Sequence, residues 1–237
     1  MRLDLALVSN SFYPSRAKAV AAIRAGLVTV NGVVAAKPSM PVADDDEIVA
    51  GSLSYVSGRG SLKLQHALDV FGVNPGGKVC LDVGASTGGF TEVLLNAGAE
   101  RVYAVDVGTD QLVPELRENS RVVSLEQTDI RTLPVQQRVA LIVIDVSFVS
   151  LADIVVSLVP WGADDVIALI KPQFEVPREV AAKFNGVIRS EQWHRYSIER
   201  VEKAFVQSGF KLMQLTQSPI SGGSGNIEYL AWFKPVK

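Results

Sequence analysis

From residue 62 onward, short apolar runs alternate with stretches whose apolar positions recur at helical spacing. The short runs are "KVCLDV", "RVYAVDV", "RVVSLE", "ALIVIDV" and "DVIALIK". Between them lie "GGFTEVLLNAG", a stretch near Asp110 to Asn119, another near Ser150 to Leu158, and a long one from about Glu191 to Ser208. Continuous apolar runs suit strands buried on both faces, and the intervening helical period suits helices that cover them. This alternation predicts an α/β domain built on a mostly parallel, Rossmann-like sheet. The two last runs, "KLMQLTQS" and "NIEYLAWFK", have no helix between them and predict an antiparallel pair at one edge.

The first fifty or so residues carry a different pattern. "SRAKAVAAIRAG" predicts a short helix with Ser15 as N-cap, Gly26 just past its end, and Ala19, Val20 and Ile23 on its apolar face. "LVTVNGVVA" then alternates about Asn31-Gly32, a dipeptide that favours a type I′ hairpin because both central positions need positive φ. Together these predict a small α+β unit over residues 1–56. The Gly- and Ser-rich stretch "GSLSYVSGRGSL" follows, with the linker placed at 57–62 and the larger domain at 63–237.

Composition changes this picture in two places. Across 237 residues, 48% hydrophobic content is ample for a core, and a net charge of −2 gives no overall attraction to nucleic acid. Residues 1–40, however, hold Arg2, Arg16, Lys18, Arg24 and Lys37 against Asp4 alone, a local basic patch that the following "ADDDEI" cancels. Cys80 is the single cysteine, which excludes an internal disulfide and any Cys-rich metal site, so no metal is expected. No signal-peptide core or membrane-length apolar span is visible, and a cytoplasmic protein without membrane partners is expected.

The candidate chemistry starts at "CLDVGASTGGF", residues 80–90, the first strand-to-helix turn of the predicted sheet. Such a turn is where nucleotide-like ligands sit, because small residues allow close backbone approach and the helix start presents N–H groups. "GASTGG" lacks the GxGxxG spacing of dinucleotide sites, since Ser86 stands at the second glycine position. Asp82 would repel a pyrophosphate but attract the amino group and sulfonium of S-adenosylmethionine, which makes that methyl donor the ligand suggested. Asp82, Gly84, Ala85, Ser86, Thr87, Gly88, Gly89 and Phe90 are the expected binding turn. Asp106, ending "VYAVD", is expected to accept from ribose hydroxyls, and Asp129 in "QTDI" to meet an adenine amino group; helix capping is the competing role for both. Asp145 completes the cofactor set.

These motifs stand in one order: "RLDLALV", "SRAKAVAAIRAGLVTVNG", "LKLQHAL", "DVGASTGGFT", "VIDVSFVSL", "LIKPQFE", "NGVIR" and "GNIEYLAW". In that order the chain resembles, over nearly its whole length, the TlyA family of ribosomal RNA 2′-O-methyltransferases. That family joins an S4-like RNA-binding domain to an FtsJ-like methyltransferase domain, and it often carries a haemolysin label. One departure is Ser61 in "GRGSLKL", where the family usually has glycine. The resemblance implies a Lys-Asp-Lys-Glu catalytic tetrad at Lys63, Asp145, Lys171 and Glu228. It also implies 2′-O-methylation of ribose, on cytidine, with ribosomal RNA or ribosomal subunits as partners, and RNA contact through Arg2, Arg16, Lys18, Arg24 and Lys37.

The residues read independently agree with that chemistry. "DVIALIK" ends an apolar strand with an ammonium and "ALIVID" ends another with a carboxylate, both at the carboxyl edge where ligands bind in this topology. A ribose hydroxyl is a poor nucleophile and needs a base or a cation beside it. Lys171 is the expected base and Lys63 a substrate-orienting cation, with Asp145 and Glu228 tuning them. Glu175 stands open between a site residue and a surface charge; His66 and His194 are read as exposed or amphipathic helix positions; Cys80 and the tryptophans are read as packing. A non-catalytic RNA-binding assembly factor is the main competing function. The haemolysin reading lacks the membrane spans or secretion signal it would need.

Overall fold

A computed structural model of the chain describes residues 1–13, 15–24, 26–43, 45–50 and 59–236, without the side chains of residues 17, 18, 21, 24 and 59. The chain divides into two compact units, Met1–Ser54 and Tyr55–Lys237. The linker expected at 57–62 lies partly outside the described residues. Its last four residues, 59–62, are helical, forming the first turn of the helix that continues through "LKLQHAL".

In the first unit, α1 (Leu3–Ser9) and α2 (Arg16–Arg24) precede β1 (Val28–Val30), β2 (Val33–Val34) and β3 (Ile48–Ala50). The strands form an antiparallel sheet in the order β2-β1-β3. Asn31 and Gly32 sit at φ 52° and 76°, the two left-handed positions of the predicted hairpin turn. Gly26, at φ 72°, ends α2, and the N–H of Leu27 reaches back to the carbonyl of Ala22. Leu3, Leu7, Ala19, Ile23, Val28 and Val30 share the core. The acidic run that balances the basic patch also has a structural use: Asp46 accepts from Asn31 Nδ2 and from the Ala43 N–H, both at 2.8 Å.

The second unit begins with α3 (Arg59–Phe71) and continues through β4 (Val79–Val83), α4 (Gly89–Asn96), β5 (Arg101–Val105), α5 (Pro114–Arg117) and β6 (Val122–Leu125). Next come β7 (Leu141–Ile144), α6 (Leu151–Leu158), β8 (Asp165–Ile170), α7 (Pro172–Glu175), α8 (Arg178–Lys183), α9 (Glu191–Gln207), β9 (Phe210–Gln217) and β10 (Tyr229–Pro235). The sheet order is β6-β5-β4-β7-β8-β10-β9, parallel from β6 to β8, with β10 antiparallel to both its neighbours. The strand period of two sorts the core into two layers. Cys80, Val102, Leu141, Val143 and Leu169 face α3 and α4, whereas Leu81, Tyr103, Ile142, Ile144 and Ile170 face α6 and α9. Strand order reverses at β4 and β7, which makes their carboxyl ends the topological switch point.

The helix expected over Asp110 to Asn119 shrinks to the single turn α5. The N–H groups of Asp110, Gln111 and Leu112 all donate to the Glu126 carboxylate, and Pro114 forces Val113 into extended backbone, so a helix can only start after it. No helix among the described residues is long and apolar enough to cross a membrane.

Candidate active site

The glycine turn leaves β4 at the switch point. Gly84 has φ 85°, and its N–H and that of Ala85 donate to the carbonyl of Val105 on β5. A Cβ on Gly84 would stand 2.7 Å from the Asp145 carbonyl, so only glycine lets β4 and β7 end this close together. The turn walls a cavity of about 230 Å³. Of the expected binding turn, Gly84, Ala85, Ser86, Thr87, Gly89 and Phe90 line it, as do Asp145 and Lys171. Gly88 does not; it sits at φ 102° with no room for a Cβ beside Leu112 and Leu116, and its work is to let α5 pack on α4. Two lining residues, Gly60 and Ser147, escaped the sequence reading. Ser61 donates to the Gly89 carbonyl at 3.2 Å, so the residue that departs from the family pattern ties α3 to the turn.

The three strand-end acids behave differently from one another. Asp82 is fully buried on the α4 side of β4, outside the cavity lining; its Oδ2 accepts from Thr91 Oγ1 at 2.6 Å, and its Oδ1 is buried without a hydrogen-bond partner. Burial first, then the nearby Asp145 and Asp106 carboxylates, push its acidity to about pKa 7, with the Thr91 bond opposing them. Asp106 accepts the N–H of Ser86 at 2.8 Å and of Gly108 at 2.7 Å, which fixes the glycine turn from the side. Asp129 is gripped by Arg131, through both carboxylate oxygens and the Arg131 N–H, which lowers its pKa below the usual carboxylate value.

The four tetrad positions form two ion pairs. Lys63 Nζ lies 2.6 Å from Glu228 Oε2, with side chains only 8% and 3% exposed. Lys171 Nζ lies 2.6 Å from Asp145 Oδ1 and donates to Ser147 Oγ at 2.9 Å, with side chains 11% and 19% exposed. The first pair is sealed between α3 and the start of β10; the second lines the cavity. Strand pairing explains how distant residues meet. Asp145 and Lys171 each follow the last residue of a parallel strand, β7 and β8, while Glu228 immediately precedes antiparallel β10, whose Tyr229 pairs with Ile170.

Beside Lys171 stands Phe148, 92% exposed at φ 66°, with its ring 5.1 Å from that of Phe174. The signal for it was in "VIDVSF", an aromatic three residues past a strand-end acid. His194 is not exposed but sits on the buried face of amphipathic α9 with Ser197, Val201 and Phe205, its Nε2 against the Ile188 carbonyl and its Nδ1 against Tyr229 Oη. Asn226 accepts the Ile188 N–H and donates to the Gly186 carbonyl, which accounts for the pairing of "NGVIR" with "GNIEYLAW". Glu175 is buried, not a surface charge. In the first unit, Arg2 and Arg16 both engage the enclosed Asp4 carboxylate, holding it well below its usual range; Lys37 is exposed; the side chains of Lys18 and Arg24 lie outside the described residues.

Comparison with known proteins places this geometry. Residues 55–235 match the FtsJ-like methyltransferase family and residues 1–48 the S4 domain. The 16S/23S rRNA (cytidine-2′-O)-methyltransferase TlyA of Mycobacterium tuberculosis is 40% identical over 241 residues, which span 98% of this chain and 89% of that protein. Hemolysin A of Brachyspira hyodysenteriae is 41% identical over 240 residues, spanning 98% and 99%. A solved structure from Streptococcus thermophilus, carrying a provisional hemolysin title, superposes with a TM-score of 0.74 at 39% identity, covering 100% of this chain and 89% of that one. With the sheet, the glycine turn and the paired lysines and carboxylates on one edge, the chain belongs to the FtsJ-like methyltransferase family, in the TlyA group that adds an S4 domain.

Proposed function

We propose that this protein transfers a methyl group from S-adenosylmethionine to the 2′-hydroxyl of a cytidine ribose in ribosomal RNA, working in the cytoplasm on ribosomal RNA or ribosomal subunits. The observation that carries this reading is the Lys171–Asp145 pair opening onto the cavity of the glycine turn. The donor fits the residues present. The backbone of the turn forms one cavity wall beside the Asp145 carboxylate, and behind that wall Asp82 Oδ1 is a buried acceptor without a hydrogen-bond partner among the described residues. The turn from Gly84 to Phe90 and Asp145, which line the cavity, would hold it, with Asp82 as a buried counter-charge behind the turn and Asp106 fixing the turn from the side; Asp129, paired with Arg131, lies outside the lining. When bound, S-adenosylmethionine supplies an electrophilic methyl on a cationic sulfur.

The remaining work falls to the chain. Lys171, once its ammonium has released a proton to solvent, is placed to take the proton of an attacking 2′-hydroxyl, while Asp145 and Ser147 aim its Nζ. Lys63, locked by Glu228 and outside the cavity lining, braces α3 behind the cavity, so the substrate-orienting role expected for it is replaced by a structural one. Holding the hydroxyl in line with the methyl contributes most, since correct positioning supplies roughly 7–11 kcal/mol of a bimolecular barrier. The exposed face of Phe148 offers a stacking surface for a nucleobase drawn out of its helix. The S4 domain supplies phosphate contacts through its basic residues, with Arg2 and Arg16 already sharing Asp4.

The test is to incubate purified protein with tritiated donor and unmodified ribosomal subunits, then map ribose methyls by their resistance to alkaline cleavage. A new 2′-O-methylcytidine is expected. Donor binding without any transfer would favour the non-catalytic assembly factor instead.

A further inference from the structure

Three residues of "KPQFE" sit beside Lys171, but the fourth, Glu175, turns away from the cavity and into the protein. It is 1% exposed. Its carboxylate closes on the start of α6: Oε1 accepts the Leu151 N–H at 2.8 Å and Oε2 accepts Ser150 Oγ at 2.5 Å. From behind, Arg200 of α9 donates to the Glu175 carbonyl at 3.1 Å and brings its Nε within 4.0 Å of Oε2.

We infer that Glu175 is a positioning residue for methyl transfer, latching the segment that carries Lys171 to the segment that carries Asp145; this rests on the reading of that pair as the transfer site. The two segments differ in stiffness. Lys171 and Glu175 bracket α7, a single turn closed by Phe174 N–H to the Lys171 carbonyl at 2.9 Å and Val176 N–H to the Pro172 carbonyl at 3.1 Å. Pro172 fixes the first φ of that turn, so whatever holds Glu175 also holds Lys171. Asp145 and Ser150, by contrast, are joined by irregular chain through Phe148 at φ 66°, a left-handed conformation that a bulky residue keeps only when its surroundings impose it. Ser150 is the N-cap of α6, its Oγ accepting the Ala152 N–H at 3.1 Å, so the latch grips the one rigid end of that chain.

Energetics point the same way. Burial pushes the Glu175 carboxyl up, with Asp153 adding to it, against the Ser150 and Leu151 bonds and Arg200. Burying a carboxylate costs several kcal/mol that these partners only offset, so a well-packed apolar residue would serve stability as well. What an apolar residue cannot do is accept from both Ser150 and Leu151 and thereby set the spacing between two loops. A misplacement of about 1 Å near reacting atoms is enough to cost on the order of 10²-fold in rate.

The experiment compares Glu175→Ala and Glu175→Gln by single-turnover methyl transfer to ribosomal subunits, alongside donor affinity by calorimetry. Glu175→Ala is expected to slow transfer by about 10- to 100-fold with donor affinity within about twofold of wild type. Glu175→Gln is expected to recover transfer to within about threefold, because its carbonyl still accepts from Leu151 and its amide N–H can donate to Ser150 Oγ. Wild-type rates in Glu175→Ala, equal losses in both variants, or a parallel loss of donor affinity would each overturn the latch. If Glu175→Ala fails to fold, Ser150→Ala decides: slower transfer at unchanged donor affinity supports it, and an unchanged rate rejects it. Lys171→Ala is run beside them. Activity in that variant rejects the underlying site, whereas an inactive Lys171→Ala beside a fully active Glu175→Ala rejects the latch alone.

Discussion

Replacing Lys171 separates a base from a cation. Lys171→Ala removes the Nζ that lies 2.6 Å from Asp145 and 2.9 Å from Ser147, without touching the backbone of the glycine turn. Loss of a positioned acid or base typically lowers a rate by about 10²–10⁴-fold, or roughly 2.7–5.5 kcal/mol of barrier. The stability cost should be smaller than the roughly 3–5 kcal/mol of a sealed pair, because Asp145, 19% exposed, faces the cavity and can take up water there. Lys171→Arg keeps a positive charge next to Asp145 but cannot release its proton near neutral pH, so it should not restore transfer if Lys171 is the base. The assay is a set of single-turnover rates with saturating donor over a range of pH, with calorimetry to show that donor still binds. Arginine activity near wild type would refute the base assignment and leave Lys171 as an electrostatic stabiliser of the developing alkoxide.

Other outcomes follow from the same coordinates of charge and burial. Lys63→Ala strands Glu228 in a pair only 8% and 3% exposed, and should lower the melting temperature by about 6–20 °C, from roughly 3–5 kcal/mol at 2–4 °C each, measured by calorimetric scanning. Gly222→Ala would drive a Cβ into Glu228 Oε1 and within 3.0 Å of its Cδ, so it should destabilise by about 1–3 kcal/mol; an unchanged denaturation midpoint would contradict this close approach of the loop to the sealed pair. The proposed attraction of Asp82, with its acidity near pKa 7, for a cationic donor requires its ionised form, so affinity should fall about tenfold from pH 8 to pH 6, and Asp82→Asn should bind weakly with that dependence abolished. The same shift has a stability sign: a carboxyl raised on folding favours the folded state most in acid, and that contribution is lost as the pH climbs towards 7, a trend that denaturant titrations of the donor-free protein can check. Lys37→Ala should weaken RNA binding and flatten its log-log salt slope by about 0.7–0.9, leaving donor affinity unchanged.

The sheet was legible because its strands are buried on both faces, which makes "ALIVID" and "DVIALIK" nearly continuous apolar runs with a polar stop. Those stops, Asp145 and Lys171, were legible for the same reason: a charge that ends such a run must stand at a strand end. Which of the last two strands lies inside the sheet is also written in their patterns. "YLAWFKP" is largely buried and enters beside β8, while "FKLMQLTQ" exposes every other residue or more and takes the edge. Other features carried no such mark. α7 is one turn long, too short to show a period, so nothing in "KPQFE" distinguished the outward-looking Lys171 from the inward-looking Glu175. The Asp110 to Asn119 stretch had helical composition, yet three of its N–H groups were already claimed by Glu126 from a neighbouring strand. His194 lies on the buried stripe of α9, but its partners, Tyr229 and the Ile188 carbonyl, come from distant segments that no local pattern announces.

The difference in burial between the two lysine–carboxylate pairs bears on how four charges can share one site without sharing one role. If both pairs were equally open, either lysine would reach the substrate hydroxyl, and the tetrad would offer two bases. Here α3 and the loop before β10 cover one pair, so that its ammonium is held by Glu228 on one side and excluded from the cavity lining on the other. The second pair meets solvent through a hydroxyl, Ser147, and an exposed aromatic, Phe148, which are the kinds of neighbour an incoming nucleotide requires. Placement more than bulk burial divides the labour: the pair away from the cavity is less diluted by water and holds α3 against the sheet, whereas the pair on the cavity wall, with Asp145 19% exposed, is the one a ligand can reach and break. On the proposed mechanism, the residue that must change partners during the reaction is the one whose carboxylate faces the cavity, which is the position Lys171 holds beside Asp145.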